Sequence, residues 1–355
     1  MTPLYLSVTK NSEGDLAIGT ADDSGRAKLT EVVKAGAALD RVHALCRAMQ
    51  DGAQSISVFG ELSEALGALL FTGAIGQLLR ASIAQTEVSG IMLTLDDETD
   101  EWPWELAKDV ETGIRPAIDA GIVRVWGREH RPSAMAKHGL LVIPKNQGSA
   151  KIKAVQAAAS GVARKHDLSV YPADPATGPG LRRLLDGGAA LLHLETDGDS
   201  RAHLDDGPVP LDRLGIGSDT WFTLLSGPKT SGRDARHLRN LGAPLVMGSQ
   251  FDTSPHQASA VYRAIYKSLG GGESVAGALV RARFALEKVS GSQDYAWAAP
   301  VLYASPNGLS GQPALEPFPP AFRQSPGTSA LVQTTDSALA LNSPAVGTAP
   351  LAAPM

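Results

Sequence analysis

The sequence predicts an α/β protein in which a mainly parallel sheet is flanked by helices and preceded by a smaller α+β amino-terminal region. From about residue 136 to residue 308, short apolar runs of strand length alternate with stretches of helical spacing. Residues 1–135 instead combine a strand-rich beginning with helical segments. Aromatic residues make up only 5% of the chain and glycines number 37, which favours a close-packed core of small aliphatic side chains.

The amino-terminal region, residues 1–135, opens with alternating apolar and polar residues. Turn-forming residues at 11–14 and 22–25 divide this stretch into a predicted β-meander. Apolar residues at helical spacing then predict helices over 37–50 and 61–84. The run "GIMLTLDD" (90–97) predicts a strand, and the segment "WPWELAKD" (102–109) follows it, with two tryptophans expected to pack inside the protein.

The second region, residues 136–308, is predicted to form the sheet that carries the site. Strands that alternate with helices are joined by crossover connections, so they run mainly parallel with helices on both faces. A polar hairpin is predicted over residues 201–214. The predicted strands cover 139–144, 168–173, 189–196, 219–226, 243–250 and 297–305, and the predicted helices cover 149–166, 179–187, 233–241, 255–269 and 273–289.

The last segment, residues 309–355, has a different composition from the rest. It is rich in Pro, Ala and Ser and carries very little charge, so it cannot build a core of its own. We expect a tail that is either flexible or docked on a partner.

Composition also excludes several classes of function. The formal net charge of −5 provides no basic surface for nucleic acid. Cys46 is the only cysteine, so an intramolecular disulfide and a cysteine-based zinc site are excluded, in keeping with a reducing cytoplasm. The amino terminus lacks the pattern of a signal peptide, and the longest uncharged apolar run, residues 66–79, is shorter than a membrane span. We therefore expect a cytoplasmic protein without a membrane, cofactor or metal partner.

The loop "SGPKTSGR" (226–233) follows a predicted strand, where ligands of α/β sheets usually bind. A phosphate-binding P-loop requires GxxxxGK[ST], but here Lys229 precedes the last glycine. A serine nucleophile elbow requires GxSxG, and Ser226 lies in "LLSGP" instead. Neither pattern is satisfied, and anion binding at the start of the following helix stays a weaker alternative.

Several blocks of the chain follow one another in the order of the motifs of a known family. The sequences are "IMLTLDDETDEWPWELAKD", "LLHLETDGD", "TWFTLLSGPKTSG", "LGAPLVMGSQFDTSPHQASAVYRAIYKSLGGGESVAGALVRAR" and "YAWAAPVLYASPNG". They resemble the motifs "lPWELL", "hHFaGHG", "vfLnACeSG", "GApaVigslwpvdD…A..FY..L..G.s…AL..AR" and "WA.fvLyG" of the CHAT family, which comprises caspase-like proteases of the caspase–separase clan. The resemblance extends to about residue 308 and implies a caspase-like fold.

The resemblance also implies that the catalytic dyad is degenerate. Asp197 stands where the family has its catalytic histidine, and only the first histidine of that motif, His193, is retained. The nucleophilic cysteine is replaced by Gly227, or by Ser226 if the alignment shifts by one residue. Glycine cannot attack a carbonyl, and an aspartate with an ordinary pKa near ~3.9 is a poor base for a hydroxyl. Losing the nucleophile and the base together costs roughly six orders of magnitude in rate.

The resemblance therefore implies a pseudoprotease that acts by binding protein partners, as a scaffold or regulator in a bacterial assembly such as a defence or effector system. A peptide or chain segment can occupy a vestigial cleft without any sulfur being present. No residue is expected to be catalytic. The alternative is an active hydrolase or peptidase that uses Ser226 with His193 as its base. The expected cleft residues are His193, Glu195, Asp197, Ser226, Gly227, Lys229 and Asp252.

Overall fold

The computed structural model gives the positions of most of the chain before the tail. The predictions for residues 309–355, and for Gly227 and Lys229 in the loop after residue 226, lie outside the described residues. The residues that the structure describes are 2–21, 27–85, 88–126, 138–142, 159–162, 169–172, 176–186, 188–217, 219–226, 232–290 and 295–305.

One sheet of eleven strands runs through the described part of the chain, in the order β3-β2-β1-β4-β5-β13-β12-β11-β8-β6-β7. Seven of its neighbouring pairs are parallel, and three are antiparallel. The predicted α/β fold with a mainly parallel sheet is therefore confirmed. The strands are β1 (Thr2–Lys10), β2 (Leu16–Ala21), β3 (Ala27–Val33), β4 (Val88–Leu95), β5 (Ile122–Val125), β6 (His138–Val142), β7 (Ser169–Pro172), β8 (Ala189–Glu195), β9 (Arg201–Leu204), β10 (Gly207–Pro210), β11 (Thr220–Ser226), β12 (Leu245–Ser249) and β13 (Pro300–Ala304).

Helices cover both faces of this sheet, and alternate strand residues point to opposite sides. On one face, Leu191 of β8 and Leu224 of β11 belong to the larger hydrophobic cluster. On the other face, the following residues, Leu192 and Leu225, belong to a second cluster. The helices are α1 (Ala37–Gln50), α2 (Ile56–Leu70), α3 (Gly73–Ala84), α4 (Pro116–Asp119), α5 (Gly178–Leu185), α6 (Gly232–Asn240), α7 (Pro255–Gly270) and α8 (Val275–Ser290), and residues 159–162 are also helical.

The single helix predicted over 61–84 is wrong, because the chain forms α2 and α3 instead. Phe71 ends α2, with its amide donating to the Gly67 carbonyl at 2.8 Å. Gly73 then has φ +55°, in the left-handed region that favours glycine. Within the described residues, no single helix is both long and apolar enough to cross a membrane, although α2 and α3 together would meet the length and composition across a bend of 105°.

The short strand β5 was not predicted from the sequence, yet it joins the two parts of the sheet. It pairs in parallel with β4 on one side and with β13 on the other. Its four residues, "IVRV", include the buried Arg124, so the run is too short and too polar for the usual strand pattern.

The predicted polar hairpin is present as β9 and β10. Its turn residues Asp205 and Asp206 reach the start of α5. Asp205 accepts a hydrogen bond from the amide of Ala176 at 3.0 Å, and Asp206 accepts one from the amide of Gly178 at 3.1 Å. These two hydrogen bonds fix the hairpin to the amino-terminal end of α5.

Cys46 lies on the buried face of α1, together with Leu39, Val42 and Met49. Burial raises the pKa of its thiol to about 12, so the reactive thiolate is scarce at neutral pH. We expect the native protein to resist alkylation by iodoacetamide at pH 7.5 and to react fully in urea. Rapid alkylation of the folded protein, measured by intact mass, would show that Cys46 is accessible.

Candidate functional site

A cavity of about 380 Å³ opens where β8, β11 and β12 end. Asp197 follows β8, Gln250 follows β12, and Arg233 lies in the first turn of α6 after the loop that follows β11. We call it the carboxyl-edge cavity. Its described lining residues are Met49, Gln50, Gly52, Gln54, Asp100, Glu101, Asp197, Gly198, Asp199, Gly232, Arg233, Arg236, Gln250, Phe251, Asp252 and Tyr303.

Asp197 helps to shape the loop that forms one wall of this cavity. Its Oδ1 accepts hydrogen bonds from the amides of Asp199 at 2.8 Å and Arg201 at 3.3 Å. Within this loop, Ser200 has φ 58°, an uncommon value for a residue other than glycine. One carboxylate oxygen of Asp197 is therefore engaged in closing its own loop.

The buried Asp234, at the start of α6, holds the same loop in place through hydrogen bonds to its backbone amides. Its Oδ1 accepts from the Ser200 amide at 2.8 Å, and its Oδ2 accepts from the Gly198 amide at 3.2 Å. Burial raises the pKa of Asp234, while these two amide hydrogen bonds act in the opposite direction. The loop conformation thus depends on a side chain that the sequence analysis did not select.

A second wall of the cavity is built on the buried guanidinium of Arg124. Its Nη1 lies 3.0 Å from Oδ1 of Asp100, and its Nη2 lies 2.6 Å from Oε2 of Glu105. Burial alone would lower the pKa of Arg124, but the charges of Glu105 and Asp100 hold it well above its usual range. The other oxygen of Asp100, Oδ2, accepts from the hydroxyl of Tyr303 at 2.9 Å and faces Arg236 at 3.3 Å.

The tryptophans of the "WPWEL" segment support this wall by packing, as expected. Trp104 is fully buried, and its ring lies 5.5 Å from the ring of Trp102, centroid to centroid. The indole Nε1 of Trp104 donates to the carbonyl of Thr99 at 2.8 Å. The backbone carbonyl of Trp102 accepts from Arg124 at 2.9 Å, so the segment packs around the same guanidinium.

His193 and Ser226 meet on one face of the sheet, beneath α7. The register aligns His193 with Leu224, and Ser226 lies two residues further along the same strand, so both side chains point to the same side. Nε2 of His193 lies 3.0 Å from Oγ of Ser226, and its Nδ1 lies 2.7 Å from the hydroxyl of Tyr266. A hydroxyl, an imidazole and an orienting group in this order have the geometry of a nucleophile and its base.

The environment of Ser226, His193 and Tyr266 differs from that of a catalytic nucleophile and its base. Ser226 is 4% exposed, His193 is 3% exposed and Tyr266 is fully buried. Burial raises the pKa of Tyr266 well above its usual range, so the phenol stays neutral and does not provide the negative charge that stabilises an imidazolium. His193, Glu195 and Ser226 are all buried and are not lining residues of the carboxyl-edge cavity, whereas Asp197 and Asp252 do line it.

A second cavity of about 390 Å³ adjoins the first, and we call it the aromatic pocket. The rings of Phe59 and Phe251 lie 4.8 Å apart, and those of Phe59 and Tyr295 lie 5.4 Å apart. Its described lining residues are Gln54, Ile56, Phe59, Phe251, Asp252, Gln257, Tyr295 and Ala296.

Asp252 is exposed between the two cavities and lines both of them. It does not cap the following helix, because Ser254 has that position. The Ser254 hydroxyl accepts from the amide of Gln257, and the side-chain oxygen of Gln257 accepts in turn from the amide of Ser254.

Two tyrosines of the site were not predicted from the sequence, because their contacts form only on folding. Tyr266 lies 73 positions from His193, and Tyr303 lies 203 positions from Asp100. Tyr262 and Tyr266 are four residues apart on α7, so they lie on the same face of the helix. This spacing was a sequence signal that the helix directs two hydroxyls toward the sheet. Among the described residues, no group of three or more His, Cys, Asp or Glu side chains could hold a metal ion.

Comparisons with known proteins support the fold. No family model matches the chain, and no curated protein matches it. It is similar to a chain of the Saccharomyces cerevisiae separase–securin complex, with a TM-score of 0.56 at 10% identity over 85% of this chain and 30% of that chain. This match shows that the chain has a caspase-like α/β fold, and at such an identity it shows the fold alone.

Two further solved structures are similar to the chain. The Arg-specific cysteine proteinase gingipain R has a TM-score of 0.48 and 10% identity over 67% of this chain and 69% of that chain. The complex of the pro- and mature domains of Porphyromonas gingivalis RgpB also has a TM-score of 0.48 and 10% identity, over 68% of this chain and 70% of that chain.

Proposed function

We propose that the chain is a catalytically inactive CHAT-type protein that binds an extended segment of a protein partner, as a scaffold or regulator in a bacterial assembly such as a defence or effector system. One observation carries the proposal. The carboxyl-edge cavity lies at the carboxyl ends of the strands, where ligands of α/β sheets usually bind. Its described lining residues include no cysteine, histidine or serine. The described lining therefore offers charged and aromatic side chains to a ligand rather than a nucleophile paired with a base.

The position of Asp197 supports the same proposal. If the resemblance to the CHAT family holds, this residue replaces the catalytic histidine. Its carboxylate oxygen Oδ1 accepts two backbone hydrogen bonds within its own loop, which is a structural task. Cys46, the only sulfur nucleophile, is buried in α1 and keeps its proton at neutral pH.

A second candidate function, hydrolysis by Ser226 with His193 as base, is favoured by the contacts of 3.0 Å and 2.7 Å that His193 makes. Burial argues against it, because a carbonyl carbon must approach the hydroxyl to within about 3–3.5 Å before reaction. The hydrogen bonds that join Ser226, His193 and Tyr266 are better explained as a buried polar network that stabilises α7 on the sheet.

Labelling with a fluorophosphonate separates the two candidates. We expect no labelling of the full chain and no cleavage of casein, because Ser226 cannot meet the probe. Labelling of the wild-type protein that disappears in Ser226→Ala would overturn the proposal and establish the hydrolase.

Binding is tested with a phage-displayed library of random twelve-residue peptides. We expect selection of peptides whose binding is lost in Asp252→Trp, because the indole fills the space shared by the two cavities. The matched control is Asp212→Trp, since Asp212 is also exposed but lines neither cavity. Failure to select any peptide, or equal loss of binding in both variants, would contradict a peptide-binding cleft.

A further inference from the structure

We propose that two copies of the chain associate through the outer edge of the sheet, with β3 of one copy pairing antiparallel with β3 of the other and the two α3 helices packing side by side. This surface is separate from the cleft, because the described lining of neither cavity includes a residue of β3 or α3. The inference therefore goes beyond the proposed function.

The strand β3 is an exposed edge of the sheet. It is the first strand in the order of the sheet, and among the described strands it pairs only with β2. Its outer side therefore presents a row of backbone N–H and C=O groups. Its seven residues contain no proline, and the outward-facing side chain of Val32 is 50% exposed. An edge of this kind is a template for pairing with another strand.

The helix that covers this edge, α3, has an uncharged outer face. α3 packs against β2 and β3, and the amide of Ala74 in its first turn donates to Oε1 of Glu31 in β3 at 2.5 Å. Ala74, Leu78 and Ala81 are exposed and lie on one side of the helix, at the spacing i, i+4 and i+7. The side chain of Leu78 is 39% exposed. The outer side of a surface helix usually carries charged residues, so this composition favours a face that is covered by a partner.

Pairing of β3 with a second copy of itself has one favourable register. With a two-fold axis at Thr30, all seven residues pair, Thr30 meets itself, and Lys28 lies opposite Val32 of the second copy. Paired threonines are favourable across strands, and the aliphatic stem of lysine covers valine. Moving the axis to Glu31 would place Lys28 opposite Lys34, and moving it the other way would leave the end of the strand unpaired. The edge is therefore complementary to itself, as an isologous interface requires.

The same two-fold axis brings the two helices together. Neighbouring strands lie about 4.8 Å apart, and α3 packs over both β2 and β3. When the two β3 strands pair, the axes of the two α3 helices are therefore about 10 Å apart, which is within the usual range for packed helices. Leu78 of one copy then packs into the space beside Ala81 of the other, a large side chain against a small one.

The size and charge of this surface fit a second copy of the chain. The strand is about 24 Å long and the helix about 18 Å long, so the surface is near the lower limit of specific interfaces, and we expect a micromolar Kd. Each copy has a formal net charge of −5, and an uncharged face is where two such copies can meet. The dimer presents two clefts, which would strengthen binding to a partner with two suitable segments.

Sedimentation velocity of the full chain between about 1 and about 200 µM tests the association, and we expect a dimer at the upper end. Val32→Lys places a lysine opposite Lys28 at two points of the interface and should raise the Kd at least about tenfold, as should Leu78→Lys. The matched controls are Val110→Lys and Leu241→Lys, whose side chains are 64% and 38% exposed outside this surface. They should change the Kd by less than about twofold, and circular dichroism shows whether each variant is folded.

The register has its own test in the double variant Lys28→Glu/Val32→Lys. Each new lysine then lies opposite a new glutamate of the other copy, so we expect the dimer that Val32→Lys loses to return. A double variant that stays as monomeric as Val32→Lys would overturn pairing about Thr30.

The remaining outcomes would overturn the inference and leave the proposed function standing, because peptide binding by the cleft is measured separately. A chain that stays monomeric at about 200 µM has no interface of the expected strength. A dimer that survives both Val32→Lys and Leu78→Lys, or that the two controls disrupt equally, forms through another surface. A monomer that binds phosphatidylcholine vesicles, with binding lost in Leu78→Lys, would assign the outer face of α3 to a membrane surface instead.

Discussion

Arg124→Met is expected to lower the free energy of unfolding by about 3–5 kcal/mol, because removing one member of a buried ionic network leaves a buried carboxylate charged without its counterion. That carboxylate is Glu105, which is 0% exposed, whereas Asp100 keeps its contacts with Tyr303 and Arg236. Methionine keeps much of the volume of arginine, so the loss comes from the charge rather than from a cavity. Urea denaturation followed by circular dichroism measures the change.

Two further variants identify the source of the effect. Arg124→Met/Glu105→Leu should recover part of the lost stability, because it removes a stranded carboxylate along with its partner. The matched control is Arg41→Met, whose guanidinium lies 3.1 Å from Glu61 with side chains 58% and 48% exposed. An exposed ion pair contributes about 0–1 kcal/mol, so this variant should be nearly as stable as the wild type. If Arg124→Met were no more destabilised than Arg41→Met, the buried network would not hold the wall of the cavity.

The position of Arg124 shows why the sequence predicted the second region well and the centre of the sheet poorly. The strands β8 and β11 are buried along their whole length and mostly apolar, so these runs were sufficient to locate them within a residue or two. β5 contains a charged residue whose burial depends on Asp100 and Glu105, which come from another segment. Local pattern cannot indicate that such a charge will be neutralised after folding.

The residues of the candidate site, like the strands of the sheet, could be predicted from the sequence only in part. Asp197 and Asp252 were expected in one cleft from the resemblance to the CHAT family, and both line the carboxyl-edge cavity. Pairing between His193 and Ser226 was raised only as an alternative, and their contact depends on the register of β8 against β11. The third member, Tyr266, comes from α7, and no spacing in the sequence connects it with His193. Residues that follow strands could therefore be named from the sequence, whereas their partners on distant helices could not.

Gly67→Ala is expected to destabilise the protein by about 1–3 kcal/mol, even though alanine favours a helix by up to about 1 kcal/mol over glycine. A Cβ built at Gly67 would lie 1.8 Å from the carbonyl oxygen of Lys108, so the backbone of α2 or of residues 106–108 must move. That segment is fixed to α2 by two hydrogen bonds, from the Ser63 hydroxyl to the Leu106 carbonyl at 2.7 Å and from the Lys108 amide to the Ser63 carbonyl at 3.1 Å.

The same helix provides a matched control in Gly60→Ala. A Cβ at Gly60 would have only the hydroxyl of Tyr295 within 4 Å, at 3.2 Å, and this side-chain end can shift by a few tenths of an ångström. We expect this variant to be neutral or up to about 1 kcal/mol more stable than the wild type, because the gain in helix propensity meets no backbone contact. Equal stability of the two variants in urea denaturation would show that α2 does not approach the "WPWEL" segment this closely. A large difference would establish that the segment bearing Asp100 and Glu105 is held in place by a glycine contact as well as by Arg124.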